Sequence, residues 1–205
     1  MKKTILVATT NPGKIAELRA MLGGDIEWLG LADFEGIGAI EEDGATFAEN
    51  ARKKAIGYAK ATGLWTIADD SGLVVDALGG DPGVKSARFS GEKEADRKLL
   101  DRKNMAKVLG LLEGVPGEKR TARFVCHLCL ASPGKILIET EGELEGLIAE
   151  SQIGENGFGY DPIFFVPNLN KTVAQLSGEE KNAISHRGNA VRELKPLLSQ
   201  LLRST

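Results

Sequence analysis

The sequence predicts an α/β protein. Short apolar runs rich in β-formers alternate with stretches whose apolar residues recur every three or four positions, and capping boxes mark two of the helix starts. Taken in order, Thr4 to Ala8 reads as a first buried strand. A helix follows, because Ile15, Leu18 and Leu22 share one face. Thr46-Phe-Ala-Glu49 opens a second helix that runs to about Thr62-Gly63. Leu64 to Ala68 is a short strand ending in Asp69-Asp70-Ser71-Gly72, and Gly79-Gly-Asp-Pro-Gly83 has turn chemistry. A charged helix is expected over 94–112, with Leu100, Val108 and either Leu111 or Leu112 inward; Gly114 and Pro116 end it.

Ala122 to Ala131 and Ile136 to Glu143, joined by Ser132-Pro-Gly-Lys135, predict a β-hairpin. After a glycine-rich loop, Ile163 to Val166 is a further strand. Val191, Leu194, Leu198 and Leu201 place a helix in the tail, with Pro196 expected to kink it. Repeats, low-complexity tracts and linkers are missing from the sequence, so 1–205 reads as one compact unit.

Composition narrows the function classes. The chain is 42% hydrophobic and 27% charged, with a formal charge of -3, so no global positive field exists to wrap a nucleic acid. Lys2 and Lys3 precede an apolar run, Ile5 to Ala8, too short for a signal peptide or a bilayer span; a cytoplasmic location is expected, with no membrane partner. Cys126 and Cys129 form a CxxC pair, yet they lie in a strand-like stretch where residues three apart face opposite ways. That separation excludes a disulfide or a shared zinc. His127 between them reads as a packed or edge histidine.

Four segments carry candidate chemistry. In Thr9-Thr10-Asn11-Pro12-Gly13-Lys14, Asn11 suits an N-cap and Pro12 the first helical position, but capping alone leaves Lys14 unexplained. A cation in the first turn opposes the helix dipole unless an anion sits there, so this segment is a candidate phosphate site. The acidic set Glu41, Glu42, Asp69 and Asp70 offers hard oxygen ligands for Mg²⁺, which keeps waters and takes one or two protein carboxylates. Successive strand side chains alternate, so one aspartate is expected to face the site and the other to support it or cap the next segment. Gly154-Glu-Asn-Gly157-Phe158-Gly159-Tyr160-Asp161-Pro162 is either a glycine-dependent connection or a place for a ring face to meet a base. Ser177 with Glu180 forms the second capping box, leaving Lys181, His186 and Arg187 either as solvated surface or as donors to a purine O6.

Together these elements resemble the inosine triphosphate pyrophosphatase family, the house-cleaning dITP/XTP pyrophosphatases. The likeness is carried, in order, by Ala8-Thr-Thr-Asn-Pro-Gly-Lys14, Glu41-Glu-Asp-Gly-Ala-Thr-Phe47, Ala68-Asp-Asp-Ser-Gly-Leu73, Leu78-Gly-Gly-Asp-Pro-Gly83, Ser86-Ala-Arg88, Gly157-Phe-Gly-Tyr-Asp-Pro-Ile-Phe164 and Glu180-Lys-Asn-Ala-Ile-Ser-His-Arg187. It implies an elongated α/β fold with a long twisted mixed sheet, two lobes around a central cleft, and a homodimer. It also implies that Thr9 through Lys14 hold the phosphates and that Glu41 or Glu42 joins Asp70 on Mg²⁺, with Asp70 as general base. By the same resemblance Ser71, Phe158 to Asp161, Lys181, His186 and Arg187 line the nucleotide pocket, and Lys54 is a weaker phosphate candidate. Two rival readings stay open: a pyrophosphatase for pyrimidine or modified nucleotides, and a non-enzymatic nucleotide-binding protein.

Overall fold

The computed structural model describes residues 3–23, 26–93 and 96–204. Seven strands form one mixed sheet in the order β2-β1-β3-β4-β5-β6-β7. β1 (Lys3–Val7) pairs in parallel with β2 (Ile26–Gly30) and β3 (Trp65–Val75). At the other end, β6 (Phe164–Val166) is antiparallel both to β5 (Lys135–Ile148) and to β7 (Lys171–Thr172). β4 (Thr121–Ser132) meets β5 across the predicted hairpin turn at Pro133-Gly134. The α/β class is as expected, with β1 parallel to β2 and β3 and with β5, β6 and β7 antiparallel in turn.

The chain folds into two compact units. The first contains residues up to Asp70, Cys126–Gly142 and the segment from His186; the second contains Ser71–Val125 and Glu143–Ser185. In the first unit, α1 (Pro12–Leu22) and α5 (His186–Arg203) cover one sheet face, where Leu18, Val191 and Leu194 pack on Ile5, Ile67 and Cys126. The opposite face is covered by α2 (Phe47–Thr62), whose Ala51, Ala55 and Tyr58 pack with Leu6, Ala68 and Cys129. The Thr46 hydroxyl accepts the Glu49 N–H at 3.1 Å, and Gly63 closes the helix in the left-handed region, as the capping signals predict. Cys126 and Cys129 thus belong to opposite faces, and both are free, buried thiols. Burial pushes the Cys126 thiol well up and that of Cys129 up to about 12, so neither supplies a thiolate.

The second unit builds its own core from Leu73, Val75, Met105, Val108, Phe124 and Phe164. Phe124 and Phe164 stack with centroids 4.3 Å apart. α3 (Arg97–Leu111) is shorter than predicted; Asp96 caps it, and positions 94 and 95 lie outside the described residues. Leu112 is the inward residue, whereas Leu111 is 52% exposed. Among the described residues no helix is long and apolar enough to cross a membrane.

Two expectations change. The third strand does not end at Asp69-Asp70 but runs on to Val75. Both carboxylates can sit in mid-strand because each is met by a cation. β2 and β7 have no counterpart in the sequence reading. Pro196 lies inside α5, which continues to Arg203.

Candidate active site

Strand alternation sends Asp69 and Asp70 to opposite faces of β3, as the period of two requires. Asp69 points to the α1/α5 face. Its Oδ1 accepts the Lys14 ammonium at 2.5 Å and its Oδ2 the Arg187 Nε–H at 2.6 Å, with the Cys126 thiol at 3.3 Å. Burial alone would raise its pKa, but Arg187 and Lys14 outweigh it and hold the carboxyl well below the usual range. Arg187 spans Asp69 and Glu17, donating to both carboxylates. The side chain of Arg187 is 1% exposed. A Cβ on Gly142 would lie 2.3 Å from the His186 carbonyl oxygen and 2.4 Å from the Ala190 nitrogen. The first turn of α5, and with it Arg187, therefore rests directly on bare β5 backbone.

Asp70 points to the α2 face. Lys54, reaching from α2, donates to Asp70 Oδ1 at 2.8 Å, to Glu42 Oε2 at 2.9 Å and to the Asp69 carbonyl oxygen at 2.9 Å. Glu42 and Asp70 also lie within hydrogen-bonding reach of one another. Burial pushes Asp70 up to about 6 even though Lys54 and Lys14 pull it down. Glu42 moves the other way: burial raises it, and Lys54 more than offsets this. The side chain of Glu42 remains 39% exposed, so this carboxylate pair opens to solvent on one side.

These contacts sort the predicted residues. Lys14, Glu42, Lys54, Asp69, Asp70 and Arg187 are brought together within the first unit, and Glu41 is left exposed. The start of α1 is capped by Asn11, with Pro12 at the first helical position, as expected. Asn11 Oδ1 already takes the Gly13 and Lys14 N–H groups, at 2.9 and 3.4 Å, and Thr9 Oγ1 takes that of Asn11. Capping thus uses two of the amides at this helix start; Thr10 and Pro12 are exposed and Gly13 half-buried. The anion that offsets Lys14 against the helix dipole is the Asp69 carboxylate. The Arg187 guanidinium is engaged by the carboxylates of Asp69 and Glu17.

In the second unit the glycine-rich loop closes on Asp161. Its Oδ2 accepts the Phe158 N–H at 2.9 Å and the Lys181 ammonium at 2.6 Å. At Gly157, φ is +77° and a Cβ would come within 2.0 Å of that same oxygen, so only glycine fits. Tyr160 turns inward, its hydroxyl donating to the Ser86 carbonyl at 2.7 Å, and the Gly159 N–H reaches Asp101 at 2.9 Å. Asp161 and Tyr160 are thereby spent on holding the loop. Phe158 keeps a half-buried ring, with the Lys181 ammonium 4.3 Å from its centroid. Ser71 is also half-buried. Lys181, His186 and Arg187 are all buried, so solvated surface does not describe them. Sequence reasoning missed Glu17, Asp101 and Ser86 and ranked Lys54 too low.

Among the described residues no three His, Cys, Asp or Glu side chains gather as a metal cage. Glu42 and Asp70 are a two-carboxylate set of the kind that suits a cation retaining its own waters.

The model of the Ham1 family matches residues 5–197. A dITP/XTP pyrophosphatase of Geobacter sulfurreducens is 52% identical over 192 residues, covering 93% of this chain and 94% of the relative. That of Desulforamulus reducens is 48% identical over 198 residues, covering 96% of each. Among solved structures, the Staphylococcus aureus Ham1 protein superposes with a TM-score of 0.84 at 42% identity, over 97% of this chain and 99% of that one.

Proposed function

The chain belongs to the Ham1 family, and from that membership we propose that it hydrolyses deaminated purine nucleoside triphosphates (ITP, dITP and XTP) to the monophosphate and pyrophosphate. The observation that carries the chemistry is the Glu42–Asp70 carboxylate pair gathered around the Lys54 ammonium, with Asp70 buried and Glu42 open to solvent. In this reading Asp70 takes the proton of the water that attacks the α-phosphorus. Lys14 compensates charge on the phosphate oxygens from the start of α1. Asp69 and Arg187 fix Lys14 in place through buried, charge-assisted hydrogen bonds.

The proposal includes Mg²⁺. The residues fit it: a buried ammonium already sits between Glu42 and Asp70, so the pair accepts a cation, and Glu42 is open enough for metal-bound waters. Glu42 and Asp70 are the ligands we assign, in preference to the exposed Glu41. Bound there, Mg²⁺ supplies Lewis-acid neutralisation of the phosphate oxygens. For the base, Phe158 and Lys181 pair a ring face with a cationic donor suited to a purine O6. Cytoplasmic residence and a homodimer complete the proposal; the first is compatible with the lack of a bilayer-long helix among the described residues, the second is carried by the family resemblance.

Adenine carries an amino group where hypoxanthine has O6, so a donor-lined pocket should reject it by up to roughly 10⁴. We expect kcat/KM for ITP to exceed that for ATP by at least about 10² in steady-state assays of pyrophosphate release. Equal values would remove the base-selectivity reading.

A further inference from the structure

We propose that Lys54 is a built-in placeholder for the divalent cation: its ammonium occupies the Glu42–Asp70 pair until the cation binds, and is then released to grip the triphosphate. This inference rests on the function proposed above. An ammonium has three N–H donors. All three have acceptors here, on Glu42 at 2.9 Å, Asp70 at 2.8 Å and the Asp69 carbonyl at 2.9 Å. The residue is only 7% exposed, and a lysine is buried to that degree only when its charge is matched.

The charge balance of the first unit gives this contact its consequence. Three cations, Lys14, Lys54 and Arg187, meet four carboxylates, Glu17, Glu42, Asp69 and Asp70, so the cluster has no positive excess to offer a polyanion. A divalent cation on Glu42 and Asp70 changes that sign. It also repels an ammonium bonded to the same two oxygen pairs, since like charges at contact range in a partly buried site interact strongly. Lys54 carries a compact charge on a flexible four-carbon stem, so it can leave without moving α2. Arg187, by contrast, is clamped between two carboxylates and stays. Cation and triphosphate are thus coupled through one side chain: the first frees the ammonium that holds the second.

Two cations competing for one anionic pair show negative coupling, and removal of one must strengthen the other. The direct test measures Mn²⁺ binding without nucleotide, by electron paramagnetic resonance, in the full chain and in Lys54→Met and Glu42→Gln. Lys54→Met should bind Mn²⁺ about tenfold more tightly than the parent, and Glu42→Gln more weakly. Unchanged or weaker binding by Lys54→Met overturns the proposal, as does unchanged binding by Glu42→Gln. Should Lys54→Met fail to fold, acetylation of Lys54 in the unmodified chain decides: acetic anhydride should label it faster once Mn²⁺ is added, and an unchanged rate overturns the placeholder role. Pyrophosphate release from ITP, assayed on the same unmodified sample, judges the enzymatic reading separately. Its failure would leave the Mn²⁺ comparison intact.

Discussion

Asp70→Asn lowers kcat for ITP by about 10² to 10⁴, with a much smaller change in KM. The substitution keeps the shape of the side chain and an oxygen for Lys54, but an amide cannot take the proton of the attacking water. Asp70 is buried, and its bond to the Lys54 ammonium at 2.8 Å favours the ionised form that a general base requires. Steady-state kinetics of pyrophosphate release against ITP concentration separates the two parameters. An unchanged kcat would assign the proton to another group, and a loss confined to KM would make Asp70 a binding residue alone.

Arg187→Leu should be the most destabilising single change in the first unit, costing roughly 3–5 kcal/mol. It takes the Arg187 guanidinium from the fully buried Asp69 and from Glu17. Breaking one side of a buried pair strands the other charge, whereas removing both is far milder. The double variant Arg187→Leu/Asp69→Asn should therefore lose less stability than Arg187→Leu alone. Urea denaturation monitored by circular dichroism measures both. The pH dependence comes from Asp69, whose folded pKa lies below its unfolded value: its contribution is complete above the ordinary carboxylate range of about 4 and is lost on acidification. Arg187→Leu raises that folded pKa, so acid unfolding should begin at higher pH. A stability loss below about 1 kcal/mol would mean that the network is screened like a surface pair.

Local signals were legible because they act within a few residues. Thr46 and Glu49 bracket the start of α2, Gly63 ends it, and the Pro133-Gly134 turn joins β4 to β5. Alternation along β3 and β4 separated Asp69 from Asp70 and Cys126 from Cys129 correctly. The features that stayed hidden are non-local. Arg187 meets Glu17 across 170 positions and Asp69 across 118, and no spacing rule announces either pair. The same pairs explain why β3 continues through two aspartates that looked like its end: the neutralising cations come from α1, α2 and α5. Glu41 and Glu42 are equivalent in sequence; the fold distinguishes them by leaving Glu41 exposed and bringing Glu42 to Lys54. At the start of α1 the fold gives two amides to the Asn11 cap, as the local signal predicts.

The chemistry itself is tested most directly by hydrolysing ITP with Mg²⁺ in water labelled with heavy oxygen and locating the label by mass spectrometry. Attack on the α-phosphorus by a water that Asp70 deprotonates places the label in the inosine monophosphate and leaves the pyrophosphate unlabelled. Label in the pyrophosphate, or release of orthophosphate, would contradict the account.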